Sequence, residues 1–163
     1  MSATAFHNVL AVLDGEPDEQ QAVLERAIEL AQVEHARLTL AKTRESAWLA
    51  QCACVFPLAV VPPAGDCEEH ALDALARCAE LVPQSVSVTT LLLGADVHAA
   101  LAALLREGAF DLLVSGEAFL HRSRLRRALH RAGICTLAIA RPPASRSPRA
   151  SAAPLQRRPA PQT

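Results

Sequence analysis

The stretch DLLVSGEAFLHRSRLRRALHRAGICTLAIA, from Asp111 to Ala140, carries the pattern that decides the fold. It opens with an apolar run ended by Gly116, which is typical of a strand buried on both faces of a parallel sheet. An apolar stripe at helical spacing follows, Gly133 ends it, and CTLAIA forms a second short strand. The stripe consists of Leu125, Ala128, Leu129 and Ala132. A strand, a helix and a strand in this order predict two parallel strands joined by a right-handed crossover.

The same alternation repeats in the preceding chain. Further strand patterns are HNVLAVLDG, which is typical of a strand buried on both faces, RLTLAKT and SVSVTTLLLG. The helical stripes between them consist of Leu24, Ala27, Ile28 and Ala31, then Leu72, Leu75, Ala79 and Val82, then Val97, Leu101, Leu104 and Leu105. Five strands alternating with four helices predict an α/β fold, an open parallel sheet with helices on both faces.

Capping residues mark where these helices begin and end. Pro17 and Asp18 supply the start of the first helix, and Gln21 stands at the capping-box position relative to Asp18. Asp96 is the predicted cap of the third helix, and Gly108 lies just beyond its end. The segment RESAWLAQCACVFPLAVVPPAGD has no clean period, so we predict a long connection there.

The length of 163 residues and the net charge of -1 favour one globular domain followed by a tail. Residues 144–163 contain many prolines, no acid, and the arginines Arg146, Arg149, Arg157 and Arg158. Because this segment has almost no large apolar side chains, burial cannot offset its ordering entropy. We predict an α/β domain over residues 1–143 and a disordered tail rich in Pro, Ala and Arg over residues 144–163.

The sequence argues against a membrane protein, a metal protein and an enzyme. The most apolar later run, AWLAQCACVFPLAVVPP, is interrupted by Gln51 and Pro57 and falls short of the roughly 20 residues that a membrane helix needs. The N-terminus has no basic leader, and we expect a cytoplasmic protein with free thiols. Cys52 and Cys54 could hold a soft metal, but apolar filling is the favoured interpretation. Without a nucleophile elbow, a Walker loop or HExxH, no catalytic residue and no metal site is predicted.

Four segments in order, NVLAVLDG, LERAIELAQVEHARLTLAKT, GADVHAALAALLREGAFDLLVSG and HRAGICTLAIA, resemble the universal stress protein family. The resemblance covers Phe6 to Pro142. It implies a Rossmann-like sheet of the adenine nucleotide alpha hydrolase type, with strand order 3-2-1-4-5. It also implies homodimers through the fifth strand. The alternating small and branched apolar residues of CTLAIA predict an edge strand that a partner strand would cover, with Leu137 and Ile139 at the interface. In one branch of the family, ATP is held at the carboxyl ends of the first and fourth strands.

The glycine motif of that ATP-binding branch reads G-x-x-G-x9-G-[S/T], and its glycines let backbone N–H groups approach the phosphates. Here Gly116 matches the first glycine, but Phe119 stands at the second, and the segment before the last helix is shorter than is usual in the family. Asp14 matches the family's strand-ending aspartate and, with Gly15, would face Gly116 across the topological switch point. Two interpretations of Asp14 and Gly15 stay open, a turn into the first helix or a ligand contact.

The last helix is crowded with cations, namely Arg122, Arg124, Arg126, Arg127 and Arg131. A solvated helix face is the commonest meaning of such a run. Arg122 and Arg124, however, lie in or next to the first turn, where the helix dipole disfavours cations. An anion site at this helix start is therefore the second interpretation.

Two functions stay open. The favoured one is a non-catalytic stress-response protein that acts as a homodimer with an unknown protein partner, without a cofactor and without tight ATP binding. The alternative is a sensor that binds ATP or another phosphate anion at the carboxyl ends of strands 1 and 4. Its site residues would be Asp14, Gly15, Gly116, Arg122 and Arg124. Nucleic acid is disfavoured as a partner because base-stacking aromatics are few and the body is acidic.

Overall fold

The computed structural model describes residues 6–44, 64–94, 97–107, 110–120 and 123–140. These residues contain five strands, β1 (Asn8–Val12), β2 (Arg37–Thr43), β3 (Val88–Leu93), β4 (Leu112–Gly116) and β5 (Cys135–Ile139). They also contain five helices, α1 (Pro17–Glu34), α2 (Ala64–Glu80), α3 (Val97–Arg106), α4 (Glu117–Leu120) and α5 (Ser123–Arg131).

The strands form one parallel sheet in the order β3-β2-β1-β4-β5, as predicted. Strand β1 lies at the centre, where Val12 is in register with Ala41 on one side and with Ser115 on the other. Strand β5 pairs with β4 along one side only and forms an edge of the sheet.

Two apolar layers cover the sheet. On one face, α1 and α2 pack over residues of β1 that include Val9 and Ala11. On the other face, α3, α4 and α5 pack over Leu10 and Val12. No residue from Val9 to Leu13 is more than 1 % exposed. The continuous apolar run of this strand is thus explained by burial on both of its faces.

The two helical layers carry opposite charge. Helices α1 and α2 contain several acids each and a single arginine each, Arg26 and Arg77. Helices α3 and α5 contain no acid, and α5 has the sequence SRLRRALHR. The acidic and basic surfaces of the domain therefore lie on opposite faces of the sheet.

Several predicted boundaries differ from the structure. Helix α1 begins at Pro17 after Glu16, without a side-chain cap, so the capping box of Asp18 and Gln21 is wrong. The Gln21 side chain instead donates to Glu25 Oε1 at 2.8 Å. Helix α2 begins at Ala64, inside the predicted connection. The rest of that connection, over residues 45–63, and the predicted capping residues Asp96 and Gly108 lie outside the described residues.

Helix α4 is a further element that the sequence pattern did not predict, because four residues are too few to show a period. It starts directly after Gly116, and its Phe119 is 5 % exposed within the apolar layer beneath α5. The residue that occupies the place of the second family glycine therefore has a role in the core.

The Asp111 side chain joins the starts of β1 and β4, and its removal should destabilise the fold. Its Oδ2 accepts the backbone N–H groups of His7 at 2.8 Å and Asn8 at 3.1 Å. We expect Asp111→Ala to lower the free energy of unfolding in urea by about 1 to 2 kcal/mol, because two donors lose a carboxylate acceptor. Asp73→Ala, at an exposed position of α2, is the matched control and should change it by less than about 0.5 kcal/mol. Equal effects of the two substitutions would contradict this role.

Candidate functional site

A crevice lies where β1 and β4 leave the sheet. The chain continues from β1 into α1 on one face and from β4 into α4 on the other, and this divergence is where open α/β sheets usually bind ligands. The structure brings Asp14, Gly15 and Gly116 to this place, at the carboxyl ends of the two strands.

Asp14 and Gly15 make structural contacts there. Asp14 Oδ1 accepts the backbone N–H of Thr43 at 3.0 Å, which ties the end of β1 to the end of β2. Gly15 has a φ of 103°, a conformation that side chains other than hydrogen rarely allow. Both residues thus serve the turn into α1. A contact of either residue with a ligand stays a prediction.

Glu19 fills the space between the two glycines. It belongs to the first turn of α1, it is 6 % exposed, and its carboxylate lies against the backbone of Gly15 and of Gly116. A Cβ atom at Gly116 would come within 2.6 Å of Glu19 Cδ, and a Cβ atom at Gly15 within 3.1 Å. A side chain at Gly15 or Gly116 would therefore displace the Glu19 carboxylate from this position.

The location of the Glu19 carboxylate has an electrostatic reason. The N-terminus of a helix carries partial positive charge, and anions or acidic side chains are favoured in its first turn. In nucleotide sites this place is commonly taken by a phosphate group of the ligand. Here the protein supplies the negative charge from its own chain.

Lys42 and Gln20 complete the crevice on the side of β2. Lys42 is 5 % exposed, and its Nζ donates to the Leu13 carbonyl at 3.2 Å and to Gln20 Oε1 at 2.9 Å. Gln20 Nε2 donates in turn to the Gly15 carbonyl at 2.7 Å. These hydrogen bonds fix the backbone between Leu13 and Gly15 against the first turn of α1.

Burial shifts the pKa of Lys42 and that of the nearby Cys78. Removal from water lowers the pKa of Lys42 below its ordinary value of 10.5, and the Asp14 carboxylate opposes this shift. Burial also raises the pKa of the Cys78 thiol on α2, while Lys42 acts in the opposite direction. The raised pKa keeps Cys78 a thiol at neutral pH, which argues against a nucleophilic role.

Glu19, Gln20 and Lys42 were not predicted as site residues, although the sequence contains a signal for two of them. Glu19 stands four residues before Val23 and eight before Ala27, so it lies on the buried stripe of α1. Lys42 is the only lysine in the sequence and interrupts an apolar strand at a position that shares a face with Leu40. A charged residue at a buried position indicates a polar site nearby.

The other predicted site residues lie outside the crevice or outside the described residues. Arg122 and the side chain of Arg124 lie outside the described residues. Leu137 and Ile139 lie on the edge strand, where both are partly buried against the layer formed by α1. Cys78 and Cys135 are free thiols, as predicted, and the predicted CxC pair lies outside the described residues.

Among the described residues, no three His, Cys, Asp or Glu side chains are placed to hold a metal ion. The same part of the chain contains no helix that is both long and apolar enough to cross a membrane.

The sequence profile of the universal stress protein family matches residues 5–130. This match spans most of the chain, and the protein belongs to the universal stress protein family. A comparison with curated protein sequences gives no match.

Solved structures with this fold include a universal stress protein family member from Burkholderia pseudomallei. It is 24% identical, with a TM-score of 0.58, over 84% of this chain and 98% of its own. A universal stress protein in complex with cAMP is 20% identical, with a TM-score of 0.56, over 85% of this chain and 100% of its own. An Arabidopsis thaliana family member with AMP bound is 12% identical, with a TM-score of 0.54, over 83% and 92% of the two chains. These likenesses support the fold.

The substitution Lys42→Met tests what burial of the ammonium group does to stability. Since the folded-state pKa lies below the unfolded value of 10.5, the charged group destabilises the native state at neutral pH. This penalty is relieved as the pH rises through the lowered pKa towards 10.5. We expect the free energy of unfolding of the wild-type protein to increase, relative to that of Lys42→Met, between about pH 7 and about pH 10 in urea titrations. A difference that does not change with pH would contradict the buried, desolvated lysine.

Proposed function

We propose that the protein is a non-catalytic, stress-related binding protein of the cytoplasm whose crevice does not hold ATP tightly. The position of Glu19 between Gly15 and Gly116 carries this proposal. The proposed unit is the α/β domain of residues 1–143, acting as a homodimer with a protein partner, and residues 144–163 form a tail outside it.

Glu19 opposes a phosphate group in two ways. Its carboxylate occupies the volume beside Gly116 that a phosphate would need, and its negative charge repels the ligand. Two like unit charges 4 Å apart repel by about 4 kcal/mol at an effective dielectric constant near 20. A penalty of this size weakens a micromolar site by about three orders of magnitude.

A nucleotide sensor is the second candidate function, because relatives of the same fold were solved with cAMP and with AMP bound. A nucleoside monophosphate carries a single phosphate group, which needs less space beside Gly116 than a triphosphate does. Glu19 would have to turn away from the two glycines before such a ligand could reach their backbone.

Calorimetric titration of ATP with magnesium tests the role of Glu19. We expect Glu19→Ser to bind ATP at least about tenfold more tightly than the wild-type protein, because the substitution removes both the charge and the side-chain bulk. Asp18→Ser is the matched control, since Asp18 is an exposed acid of the same helical turn. Its affinity should stay within about twofold of the wild-type value.

Two results would contradict the proposal. Equal ATP affinity of the wild-type protein and Glu19→Ser would show that Glu19 does not block the crevice. Micromolar wild-type affinity that is abolished by Arg122→Ala with Arg124→Ala would establish the nucleotide sensor instead.

The proposed homodimer forms along the outer side of β5. Cys135 N–H points into the sheet, where it donates to the Asp111 carbonyl at 3.2 Å. Alternation along a strand then directs the N–H groups of Thr136 and Ala138 outward, as unpaired donors of a sheet edge. Leu137 and Ile139 pack partly against their own core, so charged substitutions there would also disturb the monomer.

Ala138→Pro probes this edge without altering the core, because Ala138 is exposed and the alternation along the strand directs its N–H away from β4. We expect light scattering to show two chains per particle for the wild-type protein and one for Ala138→Pro. Ala138→Ser keeps the N–H group and should remain dimeric, and circular dichroism verifies that both variants fold. A monomeric wild-type protein would contradict the homodimer, and a dimeric Ala138→Pro would place its interface elsewhere.

A further inference from the structure

A groove of about 660 Å³ lies between α5 and the edge strand β5. Leu120 and Ile134 give it an apolar lining, and Thr136 reaches it from the strand. The remaining lining residues are basic, and they are Arg126, Arg127, His130 and Arg131. All four basic residues are exposed to solvent.

This groove is separate from the crevice that Glu19 fills. Thr136 pairs with Leu113, three residues before Gly116 along β4, which corresponds to about 10 Å along the strand. Helix α5 also covers the face of the sheet opposite to α1, from which Glu19 projects. A ligand in the groove would therefore not depend on the crevice.

The charges of the groove are not explained by the stability of the fold. The dipole of α5 favours His130 and Arg131 in its last turn, but it gives no such support to Arg126 and Arg127. Within the described part of the chain, neither Arg126 nor Arg131 forms an ion pair with a carboxylate. A bound anion would supply a counter-charge to these two guanidinium groups.

We propose that this groove binds a small organic molecule that carries two or more phosphate groups. Guanidinium groups bind phosphate oxygens through paired N–H donors, which is why arginine suits this chemistry. The basic positions recur after four residues, a rise of about 6 Å along the helix, so separate phosphate groups can be held at successive turns. Leu120 and Ile134 would contact the organic part, and the volume of the groove is in the range of small-molecule sites.

Two other occupants fit the groove less well. The segment 144–163 of this chain contains four arginines and no acid, so the basic groove repels it. A nucleic acid would gain little from base stacking, since the sequence has no tyrosine and only 3% aromatic residues.

Calorimetric titration with inorganic tripolyphosphate tests the proposal on the full chain. We expect the wild-type protein to bind this probe and the double variant Arg126→Ala, Arg131→Ala to bind it at least about tenfold more weakly. The matched control is Arg37→Ala, Arg77→Ala, which removes the same charge from exposed positions of β2 and α2. Its affinity should stay within about twofold of wild type, and circular dichroism verifies the fold of each variant. Phenyl phosphate should displace the probe more effectively than inorganic phosphate, because its ring can contact Leu120 and Ile134.

Several results would overturn the proposal. One is that the wild-type protein does not bind the probe at concentrations up to about 10 mM, and another is that both double variants lose the same amount of probe affinity, which would indicate attraction by net charge alone. Binding of a glutamate-rich peptide through Arg126 and Arg131, without binding of tripolyphosphate, would assign the groove to an acidic protein segment. If phenyl phosphate and inorganic phosphate displaced the probe equally well, the ligand of the groove would have no organic part that contacts Leu120 and Ile134. A probe affinity that responds to Glu19→Ser and not to the groove arginines would place the phosphate in the crevice.

Discussion

The rest of the structure depends on the burial of β1 along both edges and on both faces. From Val9 to Leu13, no side chain reaches water. Polar chemistry is therefore confined to the turn that follows, where Asp14 holds β2 and Gly15 directs the chain into α1. The geometry of the crevice is thus fixed by the packing of the core rather than by any ligand.

Glu19 and Lys42 bring opposite charges to the two sides of that turn. The lysine is bound to the Leu13 carbonyl and to Gln20, while the glutamate lies between the two glycines. Glycine is usually a sign that the backbone approaches a ligand closely, and here it makes room for a side chain of the same protein. A family fingerprint can therefore survive in a sequence whose site holds an internal carboxylate, and the glycines alone do not establish nucleotide binding.

A strand or helix could be predicted from the sequence when it is long enough, or buried enough, to leave a pattern. Strands β1, β2 and β4 could be identified because burial on both faces leaves continuous apolar runs, whereas the edge strands β3 and β5 are partly exposed. The family resemblance then supplied the order of the five strands. Helix α4 has four residues, too few for a period. The capping box failed because Pro17 takes the first helical position and the N-cap is Glu16, two residues before Asp18. Glu19 was not predicted as a site residue because acids are expected in a first helical turn, whichever way their side chains point.

The opposite charges of the two helical layers also act at a distance. Acids gathered over α1 and α2, and arginines gathered over α5, give the domain an electric dipole moment across the sheet, in a chain whose net charge is only -1. In the field of a charged partner such a molecule experiences a torque, which orients it before the surfaces touch. The orientation fades once ionic strength shortens the Debye length to about 10 Å or less. The protein can therefore be selective in how it approaches other molecules while remaining nearly neutral as a whole.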